Sequence, residues 1–206
     1  MKYRFLLACV VACAMAAMLA CGEKTPTSAT QAANNQTQVT RGTGQLRVYI
    51  KDAPAETITA VLVTVSGVTA HVADDGAWGS LTLAGGGTQL TCDLLKLTGG
   101  VEQVLADANL TAGHYTQIRL NVDDARVYLE PIAFVPPCQA GAIPTALSTE
   151  GFNVKVPSGT IKLNHQFTLD ATAPVNLVLD FDAAKSIHQL GNGNWQMQPV
   201  IAVSAK

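Results

Sequence analysis

The chain has 206 residues, of which 48% are hydrophobic and 14% are charged, and its formal net charge is −2 at pH 7. Scattered lysines in a weakly acidic chain do not form the basic surface that nucleic acids require, so nucleic-acid binding is excluded. Residues 44–206 are long enough to bury a two-sheet core as one domain.

Residues 1–20 have the layout of a secretory signal peptide. Lys2 and Arg4 precede an apolar run from Phe5 to Ala20, and this run is shorter than the ~20 residues that a membrane-spanning helix needs. Cleavage after residue 20 removes both basic residues and no acidic ones, which takes the formal charge to −4. The chain is therefore predicted to be exported.

Cys21 stands where the apolar run ends and directly follows Ala20. This segment resembles the bacterial lipobox, in which the cysteine becomes the new N-terminus and is acylated through its sulfur. Met18 and Leu19 depart from the commonest lipobox pattern. Cys21 is predicted to be lipidated, and ordinary cleavage without lipidation is the alternative.

Two other cysteines, Cys9 and Cys13, lie inside the leader. The stretch VVAC at Cys13 fits the lipobox pattern better, but cleavage there leaves too short an apolar region, and LLAC at Cys9 fits still less well. Cys21 is thus the predicted attachment point to the lipid bilayer. Gly22 stands where an aspartate would signal inner-membrane retention, which favours the outer membrane.

Residues 22–43 are polar, small and nearly free of large apolar groups. Such a stretch cannot bury enough surface to offset its ordering entropy. Residues 21–43 are therefore predicted to be the lipidated cysteine and a flexible tether, with a root-mean-square span of ~25 Å.

Cys92 and Cys138 are the cysteines that remain beyond the tether. An exported chain lies where disulfides persist, and two cysteines allow one pairing. A disulfide between them is predicted, and the alternative is two unlinked thiols, one of them buried. Without a Cys-x-x-Cys motif, thiol redox chemistry and covalent haem have no support, and no cofactor is expected.

Apolar and polar residues alternate from residue 45 onward, which predicts strands with one buried face. The predicted buried sets are Leu46, Val48 and Ile50; Ile118, Leu120 and Val122; Phe152, Val154 and Val156; Ile161, Leu163, Phe167 and Leu169; and Val175, Leu177, Leu179 and Phe181.

One strand changes phase. Val61, Val63 and Val65 share one face, and the next apolar set is Val68, Ala70 and Val72. The shift falls at Ser66-Gly67 and predicts a β-bulge. The alternative is that one strand ends at Ser66 and another begins.

The predicted fold is all-β: a single antiparallel β-sandwich over residues 44–206, with about eight to ten strands. GVEQVLADANL and DAAKSIHQL are the two stretches that could form a turn or two of helix. Residues 131–150 are rich in proline and show no regular alternation of apolar and polar residues. They are predicted to be a surface loop that Cys138 attaches to the domain through the disulfide.

A family resemblance is carried by five stretches: DAPAETITAVLVTVSGV, DLLKL, LTAGHYTQIRL, VPSGTIKL and LDFDAAKSI. In this order, over about residues 44–203, they resemble an uncharacterised family of secreted bacterial and archaeal domains. The resemblance implies an exported all-β domain, often lipid-anchored, and it implies no activity because the family is a domain of unknown function. The insertion around Cys138 is longer than the family usually has, so the disulfide is not part of the resemblance.

LTAGHYTQIRL is also similar to a strand start in prealbumin-like and carboxypeptidase-regulatory-like sandwiches. Gly113 would make the turn and Tyr115 would pack at the start of the strand. This similarity implies a prealbumin-like or immunoglobulin-like sandwich.

Candidate metal ligands are few. Carboxylates on sandwich loops can bind calcium, which makes candidates of Asp123, Asp124, Asp180 and Asp182. They match no EF-hand pattern, and solvated or turn-capping carboxylates are the favoured interpretation. The histidines lack zinc-ligand spacing; His165 lies between Leu163 and Phe167 and is predicted to be a core residue.

Neither catalytic nor phosphate-binding motifs are present. TVSGVT is not Gly-x-Ser-x-Gly, and LAGGGTQL lacks the Gly-Lys-Ser/Thr end of a phosphate loop, so no catalytic residue is predicted. Four aromatic residues could form a glycan platform, although packing in the core is favoured: Trp78, Tyr115, Tyr128 and Trp195.

These observations predict a membrane-anchored envelope lipoprotein whose β-sandwich has a non-catalytic binding or structural role. Its expected partners are the bilayer, through Cys21, and an envelope protein or a glycan. Three alternatives stay open: a surface fibre subunit assembled by strand donation after cleavage at Arg41, a hydrolase of envelope polymers, and a glycan- or calcium-binding module.

Overall fold

Alternating sequence patterns form strands throughout the described part of the chain. The computed structural model describes residues 41–53, 58–134, 136–147 and 149–206, so the predictions on residues 1–40, Cys21 among them, lie outside the described residues. The strands are β1 (Thr43–Asp52), β2 (Ala60–Val72), β3 (Trp78–Leu83), β4 (Leu90–Asp93), β5 (Gln103–Thr111), β6 (Gly113–Tyr128), β7 (Cys138–Ala140), β8 (Phe152–Lys155), β9 (Thr160–Leu169), β10 (Val175–Phe181), β11 (Ile187–Gln189), β12 (Trp195–Met197) and β13 (Ile201–Ala205).

In the described ranges, helical structure is limited to single turns: three 3₁₀ turns and one α-helical turn, α1. Their bounds are Ala84–Gly86, Leu94–Leu97 and Pro157–Gly159 for the 3₁₀ turns and Ala183–Ser186 for α1. The helical turn expected in DAAKSIHQL is thus present, whereas the one expected in GVEQVLADANL is wrong, because those residues pair along β1 as strand β5. No helix in the described ranges is long and apolar enough to cross a membrane.

Two sheets form the sandwich. The β1 sheet consists of β5, β1, β10 and β13, and the β2 sheet consists of β9, β6, β2, β4 and β7. Strand β3 joins them, because its first part pairs with β2 and its end pairs with β5. Strand β8 pairs with β6 and with β12, which carries β11. The predicted all-β, sandwich-like fold is confirmed.

Two features of the pairing differ from the prediction. The pairs β1–β10 and β8–β12 are parallel, although the other pairs are antiparallel. Alternation shows which face of a strand is buried but not which strand lies beside it. The described residues form 13 strands, more than the eight to ten expected, because three-residue strands such as β7 and β11 are too short to alternate visibly.

The core follows the predicted faces. The apolar sets of β1, β6 and β10 are buried between the sheets, apart from half-buried Val175. In the predicted sets of β8 and β9, Val156 and Phe167 are half-buried, and Phe152 is 47% exposed. Phe152 lies opposite Val127 near the end of β6, and its ring centroid is 6.3 Å from that of Trp195.

The β-bulge predicted at Ser66-Gly67 is confirmed. Strand β2 runs without a break through this point, and its register against β6 shifts on both sides of Val65. Asp123 is skipped in the register on β6, and its carboxylate accepts a hydrogen bond from the Ser66 hydroxyl. Ser66 and Asp123, the two residues that the register skips, therefore lie opposite one another and are hydrogen-bonded to each other.

The insertion at residues 131–150 does more than form a surface loop. Phe134 and Ile143 are buried and pack in a second, smaller core with Ala60, Leu62 and Tyr128 of the β2 sheet. Strand β7 pairs with β4, and the predicted disulfide joins the directly opposed Cys92 and Cys138. The surface-loop prediction was wrong for these residues because part of the outer face of β2 is itself apolar and has to be covered.

Candidate functional site

The aspartate of DLLKL holds the scaffold together. Asp93 is almost fully buried, and its Oδ1 accepts hydrogen bonds from the backbone N–H groups of Val61, at 3.2 Å, and Leu95, at 3.3 Å. Burial raises the pKa of Asp93, while these bonds and Lys96 oppose the rise. The residue caps the turn that follows β4 and fastens it to β2.

The aspartate of the DAP stretch has a similar structural role. Asp52 ends β1 and is 5% exposed, and its Oδ1 accepts a 2.8 Å hydrogen bond from the backbone of Ala183 in α1. Its Oδ2 has no partner among the described residues. Burial raises the pKa of Asp52 to about 7, and the nearby carboxylates of Asp182 and Asp180 add to the rise.

Tyr115 in LTAGHYTQIRL forms a corner between β5 and β6. Its hydroxyl donates a 2.7 Å hydrogen bond to the carbonyl of Thr111 four residues earlier, in the manner of the tyrosine corner of immunoglobulin-like sandwiches. Its ring stacks on Phe167 at 5.1 Å between centroids. Tyr115 is buried, which fits the packing role expected from the sequence.

The calcium candidates are occupied by protein partners. Asp180 pairs with Lys51 at 3.0 Å, Asp124 with Arg126 at 3.2 Å and Asp182 with Lys185 at 2.7 Å. Asp182 also caps α1, and Asp123 accepts hydrogen bonds from Ser66 and Gln89. In the part of the chain that the structure describes, no three His, Cys, Asp or Glu side chains come together in a way that could hold a metal ion.

Of the four platform candidates, only Trp78 reaches the surface. Tyr115, Tyr128 and Trp195 are buried, so a platform built from all four is wrong. Trp78 is 38% exposed because it begins β3 just after the turn from β2, on the outer face of the β2 sheet.

Strand register brings a polar surface together around Trp78. Across β3, β2, β6 and β9, two neighbouring rows of residues lie side by side on this outer face. We call these eight residues the Trp78 face: Trp78, His71, Gln117 and Asn164 in one row, and Ser80, Thr69, Arg119 and Lys162 in the other. Each row crosses three strand spacings, ~14 Å at about 4.8 Å each.

Contacts within the Trp78 face hold its side chains in place. The Arg119 guanidinium lies over the indole, 3.9 Å from the ring centroid, and its Nε donates a 2.6 Å hydrogen bond to Gln117. Gln117 in turn donates to Asn164. The His71 ring packs against Trp78 at 4.7 Å between centroids. A cation, an aromatic ring and amide groups are thereby fixed on one rigid sheet.

A cleft of about 620 Å³ opens between β9 and β13, and we call it the β9–β13 cleft. Ile161, Leu163 and His165 line one side, and Ile201 and Val203 line the other. His165 is half-buried at this cleft and not in the core as predicted. The register between β6 and β9 shifts here, between the pairs Tyr115–Phe167 and Gln117–Asn164, so His165 has no directly opposed residue on β6.

Sequence patterns alone missed the Trp78 face. Alternation places Thr69 and His71 on the polar side of β2, and Gln117 and Arg119 on the polar side of β6. The short turn ADDGA would also place Trp78 opposite His71. What is missing from the sequence is the order of the strands, which alone sets these residues beside Lys162 and Asn164.

No curated protein and no solved structure matches this chain. One family does, over a stretch that runs from the start of β1 to just beyond β12 and covers most of the sandwich. The chain belongs to the family described as a domain of unknown function (DUF4382), which matches residues 43–199.

Proposed function

We propose that this chain is an envelope lipoprotein, anchored in the outer membrane through Cys21, whose β-sandwich binds an acidic glycan on the Trp78 face. The leader, the position of Cys21 at its end and the polar stretch after it support the anchor. The observation that carries the binding role is the Arg119 guanidinium stacked on exposed Trp78.

The chemistry of the Trp78 face fits sugars that carry carboxylates. The exposed part of the Trp78 indole offers apolar surface to the carbon–hydrogen groups of a sugar, and the amides and hydroxyls beside it offer hydrogen bonds. Arg119 and Lys162 supply positive charge, and none of the eight residues is acidic. Arginine pairs with carboxylates in a bidentate manner, which favours an acidic over a neutral glycan.

Binding is expected to depend on charge and on Trp78. Calorimetry with the full-length chain should detect polygalacturonate and not its methyl ester, which has the same backbone without the charge. Trp78→Ala and Arg119→Ala should each weaken binding about tenfold, the loss of one stacked or charge-assisted contact. Phe152→Ala, which removes an exposed aromatic ring elsewhere, is the matched control. Equal binding of both polymers, or no binding of either, contradicts the glycan proposal.

The anchor has a separate test. Cells that express the full chain with radiolabelled palmitate should label the protein, and Cys21→Ser should abolish the label. Cys13→Ser, which changes the competing cysteine of the leader, should leave the label intact. An unlabelled wild type, or a label that survives Cys21→Ser and disappears in Cys13→Ser, refutes the assignment of Cys21.

The alternatives give different results in the same preparations. Ladders in non-reducing, unboiled gels would support a fibre subunit, and release of reducing ends from polygalacturonate would support a hydrolase. Arg41, the residue at which a fibre precursor would be cut, pairs with Asp74 at 3.0 Å. This ion pair holds the predicted cleavage site against the turn between β2 and β3.

A further inference from the structure

Both sheets end on the same side of the sandwich in strands with one partner each. In the ranges that the structure describes, β9 pairs with β6 alone and β13 pairs with β10 alone. The β9–β13 cleft lies between these two edges. An unpaired edge presents backbone N–H and C=O groups that another strand can bind.

The walls of the cleft suit the side chains of a strand. Ile161 and Leu163 are buried, and Ile201 and Val203 of the facing edge are half-buried. The lining on β9 extends from Thr160 to His165, which is ~20 Å at about 3.3 Å per residue and matches a strand of five or six residues. A strand with alternating apolar residues would bury them here and pair its backbone with the edges.

Charge decides what kind of strand fits. Among the residues that the structure describes, the lining includes Lys162 and His165 and no carboxylate. Lysine on an edge strand discourages pairing with a second copy of the same edge, because two lysines would meet. Residues 22–43 of this chain carry Glu23 but also Lys24 and Arg41, so they do not complement the cleft. A strand with a carboxylate opposite Lys162 does.

The turn at the mouth of the cleft belongs to the VPSGTIKL stretch. Ser158 lines the cleft and has φ 57°, the one positive φ of a non-glycine residue in the described ranges. Strained backbone of this kind occurs at ligand clamps. Whereas Asp52 and Asp93 fix the scaffold, this stretch supplies the turn and the edge that face the opening.

We propose that the β9–β13 cleft binds an extended acidic segment of a partner polypeptide by strand addition. The segment pairs with the edge of β9 or β13, places alternate apolar side chains between the sheets and sets a carboxylate beside Lys162. The cleft lining shares Lys162 and Asn164 with the Trp78 face but includes neither Trp78 nor Arg119.

Two peptides of about nine residues test the proposal, enough to cover the ~20 Å edge. Both alternate valine and threonine, and their central residue is glutamate in one and lysine in the other. With the full-length chain, the glutamate peptide should slow amide hydrogen exchange in Thr160–Asn164 or Ile201–Val203. The glutamate peptide should also bind about tenfold tighter than the lysine peptide. Its carboxylate attracts the exposed Lys162, whereas the lysine of the other peptide is repelled by it.

Charge reversal gives the decisive comparison. Lys162→Glu, a change at an exposed side chain, should invert the preference between the peptides, while Lys155→Glu, at an exposed lysine outside the cleft lining, should not. Trp78→Ala should leave peptide binding unchanged, so failure of the glycan proposal is distinguishable from failure of this one. Equal binding of both peptides, an unchanged preference in Lys162→Glu, or no protection of either edge overturns the proposal.

Discussion

Replacing Asp93 with alanine is expected to lower the free energy of unfolding by about 3 kcal/mol. The backbone N–H groups of Val61 and Leu95 both donate to Asp93 Oδ1, and in the variant the Val61 group is left buried without an acceptor. An unsatisfied buried donor costs ~1–3 kcal/mol and the loss of a helix cap costs ~1 kcal/mol. Urea denaturation of the oxidised protein measures the change.

The control for this prediction is Asp93→Asn. Asparagine keeps an oxygen at the same position and should retain both hydrogen bonds, so only the 3.8 Å ion pair with half-exposed Lys96 is lost. Such a pair is worth less than ~1 kcal/mol. If alanine and asparagine destabilise the protein equally, the two backbone hydrogen bonds are not what makes Asp93 important.

Stability is expected to fall between about pH 4 and pH 7 because of Asp52. Its pKa is raised from 3.8 to about 7 in the folded protein, so the folded state binds a proton in this range that the unfolded state has released. The stabilising contribution is complete below pH 3.8 and is lost as the pH rises through about 7. At 1.36 kcal/mol per pKa unit, the loss is on the order of 4 kcal/mol.

The variant Asp52→Asn isolates this contribution. Asparagine stays neutral and can still accept the hydrogen bond from Ala183, so its stability should vary less with pH and should exceed that of the wild type at pH 8. Asp107→Asn, at a half-buried carboxylate on β5, is the control and should keep the slope of the wild type. Equal slopes in Asp52→Asn and the wild type would show that Asp52 does not cause the pH dependence.

The parts of the fold that depend on local pattern could be predicted. The alternation of apolar and polar residues alone predicts the buried faces of β1, β6 and β10 and the bulge at Ser66-Gly67. The disulfide followed because two cysteines allow one pairing. GVEQVLADANL was misassigned because its apolar residues recur at helix-like spacing, and pairing of β5 with β1 overrode that local preference.

The candidate sites depend on contacts between distant segments, and these could not be predicted. Nothing near Trp78 in the sequence indicates that Arg119 would lie on its ring. Nor does the pattern of Thr160–His165 show that β9 forms an edge opposite β13. Both facts require the strand order, which alternation does not contain.

The placement of β1 bears on how this protein would carry load. β1 is the first strand after the N-terminal segment, and it lies inside its sheet, hydrogen-bonded to β5 on one side and to β10 on the other. A force applied along β1 from residue 43 loads its hydrogen bonds to β5 and to β10 in shear. These bonds then resist the force together and do not break one after another. If the chain is tethered at Cys21 and holds a glycan on the opposite sheet, tension between the two would act on the strand best placed to withstand it.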